Sequence, residues 1–199
     1  CRGFERIGGK VAKDNYFNQL HGTVYGATWV KGIVNNALSF DGVDDWVDTS
    51  YNKGDLAEWT VEAWIYDTKT TGYRAIVQKS NVSDSALYIY PSNFIGMYPC
   101  STGNVVVPNN VWVHVVASYS TTTGLRYYLN GKLAGSIAGA CAAATDWDYI
   151  KIGAAYGGDG ESFKGSIDEV RIYSTALPVA VIQQHYAEGI KTHQPLALE

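Results

Sequence analysis

Charge is scarce in this chain: 15 Lys or Arg and 19 Asp or Glu among 199 residues, a net charge of −4. Lys and Arg never gather into a run, which excludes the basic stripe that a nucleic-acid partner requires. No apolar stretch nears the ~20 residues that a membrane-crossing helix needs. The cysteines are Cys1, Cys100 and Cys141, without the close spacing of a zinc site. Cys100 and Cys141 each follow a strand-like segment. A bridge between them would place the chain in an oxidising compartment and leave Cys1 over, whereas two buried thiols would give the same pattern. No Gly-x-Ser-x-Gly elbow is present, which removes one common frame for a serine nucleophile. The chain opens on Cys1 with no leader-like stretch, as a mature or excised piece would. It closes on a Leu-Glu pair with the look of a cloning remnant.

Glycine, tyrosine and tryptophan are what the sequence has in quantity. Hydrophobic residues make up 46%, enough for a sizeable core, and 21 glycines break the chain into short pieces. The 15 Tyr and 6 Trp outnumber 5 Phe. Their polar tips on apolar planes suit both sandwich interiors and sugar-contacting surfaces.

Period-two alternation marks about a dozen short strands. The clearest is 59–66, where Val61, Ala63 and Ile65 alternate with Thr60, Glu62, Trp64 and Tyr66. Residues 111–119 are apolar on both faces and predict a central strand covered on both sides. Residues 125–129 and 132–137 flank Asn130-Gly131, the pair that favours a tight hairpin turn. Further strands are expected at 23–30, 36–40, 45–49, 75–79, 86–90, 94–100, 149–154 and 163–173, with a polar loop at 13–22. Only 178–188 reads as helical. Pro178 suits its first turn, Val179, Ile182 and Tyr186 form its apolar stripe, and Gly189 can end it. The pattern predicts an all-β fold, a two-sheet antiparallel jelly-roll sandwich with one short C-terminal helix. One domain spans 1–190, with a tail at 191–199.

Residues 165–177 carry the chain's most informative anomaly. At a period of two, Ser166, Asp168, Val170 and Ile172 share a face. If that face is the buried one, Asp168 brings a carboxylate among apolar groups. Such burial is costly unless a cation or several amide donors compensate it.

An ordered set of motifs resembles the laminin G-like, concanavalin A-like jelly-roll family. It comprises residues 4–6, Gly9, Asp14 to Thr23, Ala37-Leu38-Ser39-Phe40-Asp41-Gly42-Val43-Asp44-Asp45-Trp46-Val47 and Thr60-Val61-Glu62-Ala63-Trp64. Val111-Trp112-Val113-His114, Leu129-Asn130-Gly131-Lys132 and Gly165 to Tyr173 with Ala176-Leu177 complete it. The resemblance implies two curved antiparallel sheets and a secreted or cell-surface module that binds carbohydrate or protein. It also implies a structural calcium ion, held here by Asp14, Asn18 and Asp168 with main-chain carbonyls near His21. Hard oxygen donors of this kind suit calcium. Tyr16 and Phe17 stand where the family's loop favours Ser and Gly.

Two aromatic surfaces are candidates for ligand contact. Tyr88, Tyr90, Arg126 and Tyr128 lie opposite the Leu/Ile faces of their strands and form one expected strip. Tyr73, Tyr98, Trp147 and Tyr156, with Asp159 and Glu161, form an expected rim. His114 is expected to be structural and His185 exposed. No strand places two acids as glycoside hydrolysis requires, because Asp168 and Glu169 are adjacent and point apart. The expected function is therefore a non-catalytic carbohydrate-binding module with a glycan partner. The alternative is a protein-interaction or adhesion module of a surface assembly.

Overall fold

The computed structural model describes residues 5–7, 10–13, 21–49, 51–52, 54–79, 85–98, 100–139, 147–155 and 161–193. Asp14 and Asn18 lie outside these residues, as do Cys1, Cys141, Tyr156 and Asp159. The strands form two antiparallel sheets. The larger runs β1 (Glu5–Ile7), β2 (Val11–Lys13), β3 (Gly22–Tyr25), β6 (Trp46–Thr49), β15 (Lys151–Ile152), β8 (Arg74–Gln78), β9 (Ser85–Ile89), β10 (Phe94–Tyr98) and β11 (Ser101–Val106). The smaller runs β14 (Lys132–Ile137), β13 (Gly124–Leu129), β12 (Trp112–Ser120), β7 (Trp59–Asp67), β16 (Lys164–Tyr173), β5 (Asn36–Asp41) and β4 (Thr28–Lys31). One helix, α1 (Val179–His193), follows the last strand. This is the expected jelly-roll-like sandwich.

The core lies between the sheets. Val24, Val47, Ile76, Leu87, Ile89 and Ile95 reach it from the larger sheet. Leu38, Val61, Ile65, Val115, Tyr127 and Ile167 reach it from the smaller one. At Asn130-Gly131 both residues have positive φ, as the primed hairpin turn demands. The expected strand at 23–30 is two strands in different sheets. It breaks at Gly26, whose φ is +75° and where a Cβ would strike the Asp45 carboxylate. Alternation continued across this corner, so the pattern concealed it.

β16 departs from simple alternation. Asp168 pairs with Trp64 but Arg171 with Glu62, so β16 carries one extra residue against β7. Glu169, at φ +50°, takes up the bulge. Ile167, Val170 and Ile172 consequently all pack on the core. Asp168 shares the outer face with Trp64 and Arg171, because directly paired residues point the same way. The expected grouping of Asp168 with Val170 and Ile172 is thereby corrected. Its Oδ2 accepts the Val34 amide at 2.9 Å and its Oδ1 the Glu169 amide at 2.8 Å. Amide donors from the turn between β4 and β5 thus compensate the carboxylate.

The outer face of the smaller sheet is covered by α1. Ile182 packs on Val116 and Tyr128, and Tyr186 stacks on Trp64 at 5.6 Å. Gly189 lies inside the helix instead of ending it, because its missing side chain admits the Trp64 indole. Beneath the helix sits a buried ionic cluster. Glu62 accepts Arg171 Nη1 at 3.2 Å, Tyr173 Oη at 3.2 Å and His185 Nδ1 at 2.9 Å, with His114 Nε2 3.4 Å away. Arg171 also pairs with Glu169. His185 is therefore a docking contact and half-buried, not exposed. Burial alone would raise the Glu62 carboxyl, but hydrogen bonds from His114 and His185, with the charges of His114 and Arg171, hold it well below the usual range.

Two outcomes follow from these contacts. Gly189→Ala would ordinarily favour a helix interior. Here its Cβ would stand 2.6 Å from the Trp64 indole nitrogen, so the variant should lose about 1–3 kcal/mol in chemical unfolding. Burial, opposed by the Val34 amide and reinforced by the Glu169 charge, raises Asp168 to about 7. The native state therefore holds this proton to higher pH than the unfolded chain, whose value is near 3.8. The Asp168 contribution is greatest in acid and is lost as pH rises from about 4 to 7. Asp168→Asn should gain stability relative to wild type across that window, read from unfolding curves at stepped pH.

Candidate ligand-binding face

α1 lies on the smaller sheet, and no helix of the described residues lies on the outer face of the larger one. Along β9, Leu87 and Ile89 enter the core and Tyr88 points outward. Tyr88 pairs with Ala75 on one side and Gly96 on the other, two small neighbours that leave room for aromatic rings. Tyr73, Tyr88 and Tyr90 form a closed triangle with ring centroids 5.6–5.8 Å apart. Tyr73 covers Tyr88, which is therefore buried and not the exposed contact that was expected, while Tyr73 itself is 44% exposed. The Tyr88 hydroxyl is bonded to Glu161, and burial followed by that carboxylate pushes the phenol far above its ordinary value. It remains a neutral hydroxyl throughout the working pH range.

The triangle is held from behind. Arg74 donates Nε and Nη2 to Asp67 Oδ2 at 3.0 and 2.9 Å, Nη2 to Asn93 at 2.6 Å and Nη1 to the Gly72 carbonyl at 2.8 Å. Asn93 donates to Asn109, which donates to the Lys69 carbonyl. These bonds tie the 68–73 loop to the end of β9, so Tyr73 and Tyr90 stand in place before any ligand arrives.

The expected strip of Tyr88, Tyr90, Arg126 and Tyr128 does not exist as one surface. Both pairs face away from the core, but β9 and β13 belong to different sheets, whose outer faces point in opposite directions. Tyr128 is buried against Val116 and Ile182 beneath α1, and Arg126 lies on that same side of the sandwich. Trp147 is not a rim residue. It is fully buried, 5.1 Å from the Trp59 ring, and serves as core. Tyr73 and Glu161 of the expected rim do meet the Tyr88–Tyr90 pair. One exposed group escaped the sequence reading altogether: Tyr25 stacks on Trp46 at 4.8 Å, farther along the same face. The alternation of 22–25 and 46–49 was visible, but nothing in sequence pairs the two strands.

Asp14 and Asn18, two of the expected calcium ligands, lie outside the described residues. Asp168 accepts backbone amides on the outer side of the smaller sheet, whereas His21 precedes β3 in the larger one. Among the described residues, three acids gather only at Asp41, Asp44 and Asp45. There Asp45 Oδ2 accepts the Asp41 amide at 2.8 Å and Asp41 Oδ1 the Val43 amide at 2.7 Å, as in an ordinary acidic turn. Cys100 is disulfide-bonded. No helix of the described residues is long and apolar enough to cross a membrane.

Comparison with known proteins places this geometry in context. Domain 4 of a GH43 extracellular arabinanase from Geobacillus stearothermophilus, solved with arabinotriose, is 16% identical with a TM-score of 0.70. That match covers 89% of this chain and 98% of the domain. Trypanosoma rangeli sialidase with sialic acid is 18% identical with a TM-score of 0.67, over 92% of this chain but 32% of the enzyme. The binding domain of Paraclostridial Mosquitocidal Protein 1 is 13% identical with a TM-score of 0.69, covering 90% and 51%. The chain thus spans about a third of the sialidase and half of the mosquitocidal domain structure. Curated proteins yielded no match in sequence. The profile of the concanavalin A-like lectin/glucanases superfamily matches residues 41–183, and the chain belongs to that superfamily.

Proposed function

We propose that this chain is a non-catalytic carbohydrate-binding module of a secreted or cell-surface protein. The observation that carries the reading is the preorganised Tyr73–Tyr88–Tyr90 triangle on the sheet face that no helix of the described residues covers. An exposed aromatic plane can stack on the apolar face of a pyranose or furanose ring. The Glu161 carboxylate, which the buried Tyr88 hydroxyl holds in place, can accept from sugar hydroxyls. The arabinotriose complex of the arabinanase domain supports the same class of ligand on this fold. The disulfide at Cys100 supports an oxidising, extracellular setting.

The non-catalytic reading has its own support. Glycoside hydrolysis asks for two carboxyl groups flanking an accessible bond. Glu62 and Glu169 do lie near one another, but both are buried under α1 and neutralised by Arg171. Asp168 is likewise buried and turned to backbone amides. None of the three is open to a polysaccharide.

Binding should appear on a glycan array that includes arabinotriose and sialic acid. Tyr73→Ala should weaken it about tenfold, equivalent to ~1.4 kcal/mol, with the thermal midpoint nearly unchanged because that ring is half exposed. Wild-type protein silent on every glycan would overturn the proposal in favour of a protein-interaction module.

A further inference from the structure

The Tyr25–Trp46 stack lies on the same outer face, three strands from Tyr88 in the order β6-β15-β8-β9. Its orientation follows from its neighbours: Val24, Val47 and Ile152 enter the core, so the residues beside them in β3, β6 and β15 that pair across the sheet point outward. Tyr25 is directly paired with Trp46 and stacks on it at an interplanar angle of 22°. The Lys151 ammonium sits over the Trp46 ring, 5.2 Å from its centroid. Tyr25 and Lys151 come from strands on opposite flanks of β6 and approach Trp46 from its two sides. Trp46 is thus clamped, and Tyr25 ends the stack with 43% of its surface exposed.

Beside this stack runs a second row. Thr23 pairs with Asp48, Asp48 with Lys151, and Lys151 with Gln78. A hydroxyl, a carboxylate and an ammonium therefore stand in line across three strands, one step along from the aromatic row, and the row ends at the buried Gln78. A sheet face that needed only solubility would use scattered charges. An upright aromatic stack flanked by alternating donors and acceptors is the chemistry of a sugar contact, with an apolar ring face on one side and hydroxyls on the other. Lys151 faces Asp48 across the strands, so the row carries no excess charge of either sign.

We infer that Tyr25, Trp46 and the Thr23–Asp48–Lys151 row form a second carbohydrate subsite, and that the ligand is a neutral glycan chain reaching from it to the tyrosine triangle. The inference rests on the carbohydrate-binding reading above. Three inter-strand spacings separate Trp46 from Tyr88, about 14 Å at the usual strand separation. A single sugar cannot span that distance, but a chain of several units lying across the strands can. Each platform alone would bind weakly, and one chain on both gains from the effective concentration that the first contact creates.

The test is an array printed with arabinan-, glucan- and sialoside-type glycans, each as monosaccharide, trisaccharide and longer chain. It is probed with wild type, Trp46→Ala, Tyr25→Ser and Tyr73→Ala. Tyr25→Ser removes an exposed ring only, so it reports even if Trp46→Ala perturbs the fold. The expected result is that wild type prefers long neutral chains to their trisaccharides at least tenfold. Tyr25→Ser and Trp46→Ala should lose that preference while keeping the trisaccharide signal. Long-chain binding by Tyr25→Ser equal to wild type, or a preference for sialosides, would overturn the second subsite and leave the triangle intact. Silence of wild type on all glycans would instead remove the carbohydrate reading itself.

Discussion

The ionic cluster around Glu62 decides which side of this molecule can meet a ligand. A sandwich has two outer faces, and here one of them is closed by α1. The apolar contact beneath the helix is small, with Ile182 on Val116 and Tyr128 and with Leu177 beside them. The rest of the seam is polar. Glu62 is bonded at once by Arg171, Tyr173 and His185 and lies beside His114. Breaking such a buried set by removing one partner costs roughly 3–5 kcal/mol, because the charge left behind stays dry. The cluster therefore fixes the position of the helix more than it adds to net stability, and it leaves the larger sheet as the open face.

That cluster exists because β16 carries one residue too many. Without the bulge at Glu169, Arg171 would not pair with Glu62, and Val170 and Ile172 would not share the core with Ile167. The positive φ of Glu169 is uncommon for a side chain of this kind. Strain at one residue is offset by an arginine placed between two carboxylates. Just before the bulge Asp168 points outward to the Val34 amide, where it ties the β4–β5 hairpin to the last strand. The C-terminal end of α1 meets that turn too, since Thr192 donates to the Ile33 carbonyl at 3.2 Å. Strand, hairpin and helix are joined at a single register shift.

How far the sequence carried the reading depends on which physical signal each feature leaves. Strands were legible where alternation or a continuous apolar run is strong, as in 59–66 and 111–119, and the Asn130-Gly131 turn was unambiguous. The bulge left no mark, because Glu169 is neither glycine nor asparagine. Gly189 has the look of a helix terminator, and only the Trp64 indole packed against it explains its place inside the helix. Tyr88 and Tyr90 were recognisable as outward-facing, yet their association with Arg126 and Tyr128 failed because period two reports a face, not a sheet. Trp147 follows a run of small residues and looked like a surface loop residue. Its burial against Trp59 depends on long-range packing that no local pattern encodes.

The aromatic residues divide along the same line. Trp64 and Tyr128 on the smaller sheet's outer face are covered by the helix, Trp64 by the Tyr186 ring of α1. On the larger sheet's outer face Tyr88 is buried beneath Tyr73, while Tyr73 and Tyr25 remain exposed and yet are not left loose. Tyr73 and Tyr90 are fixed through Arg74, and Trp46 is clamped by Tyr25 and Lys151. Rigidity without cover is unnecessary for folding, since exposed rings gain little from being ordered, and ordering a side chain costs conformational entropy. It is what binding requires, because a ligand that meets rings already in position does not have to order them itself. The asymmetry between a face closed by salt bridges and a face furnished with fixed, open rings is the physical ground for placing recognition on the larger sheet.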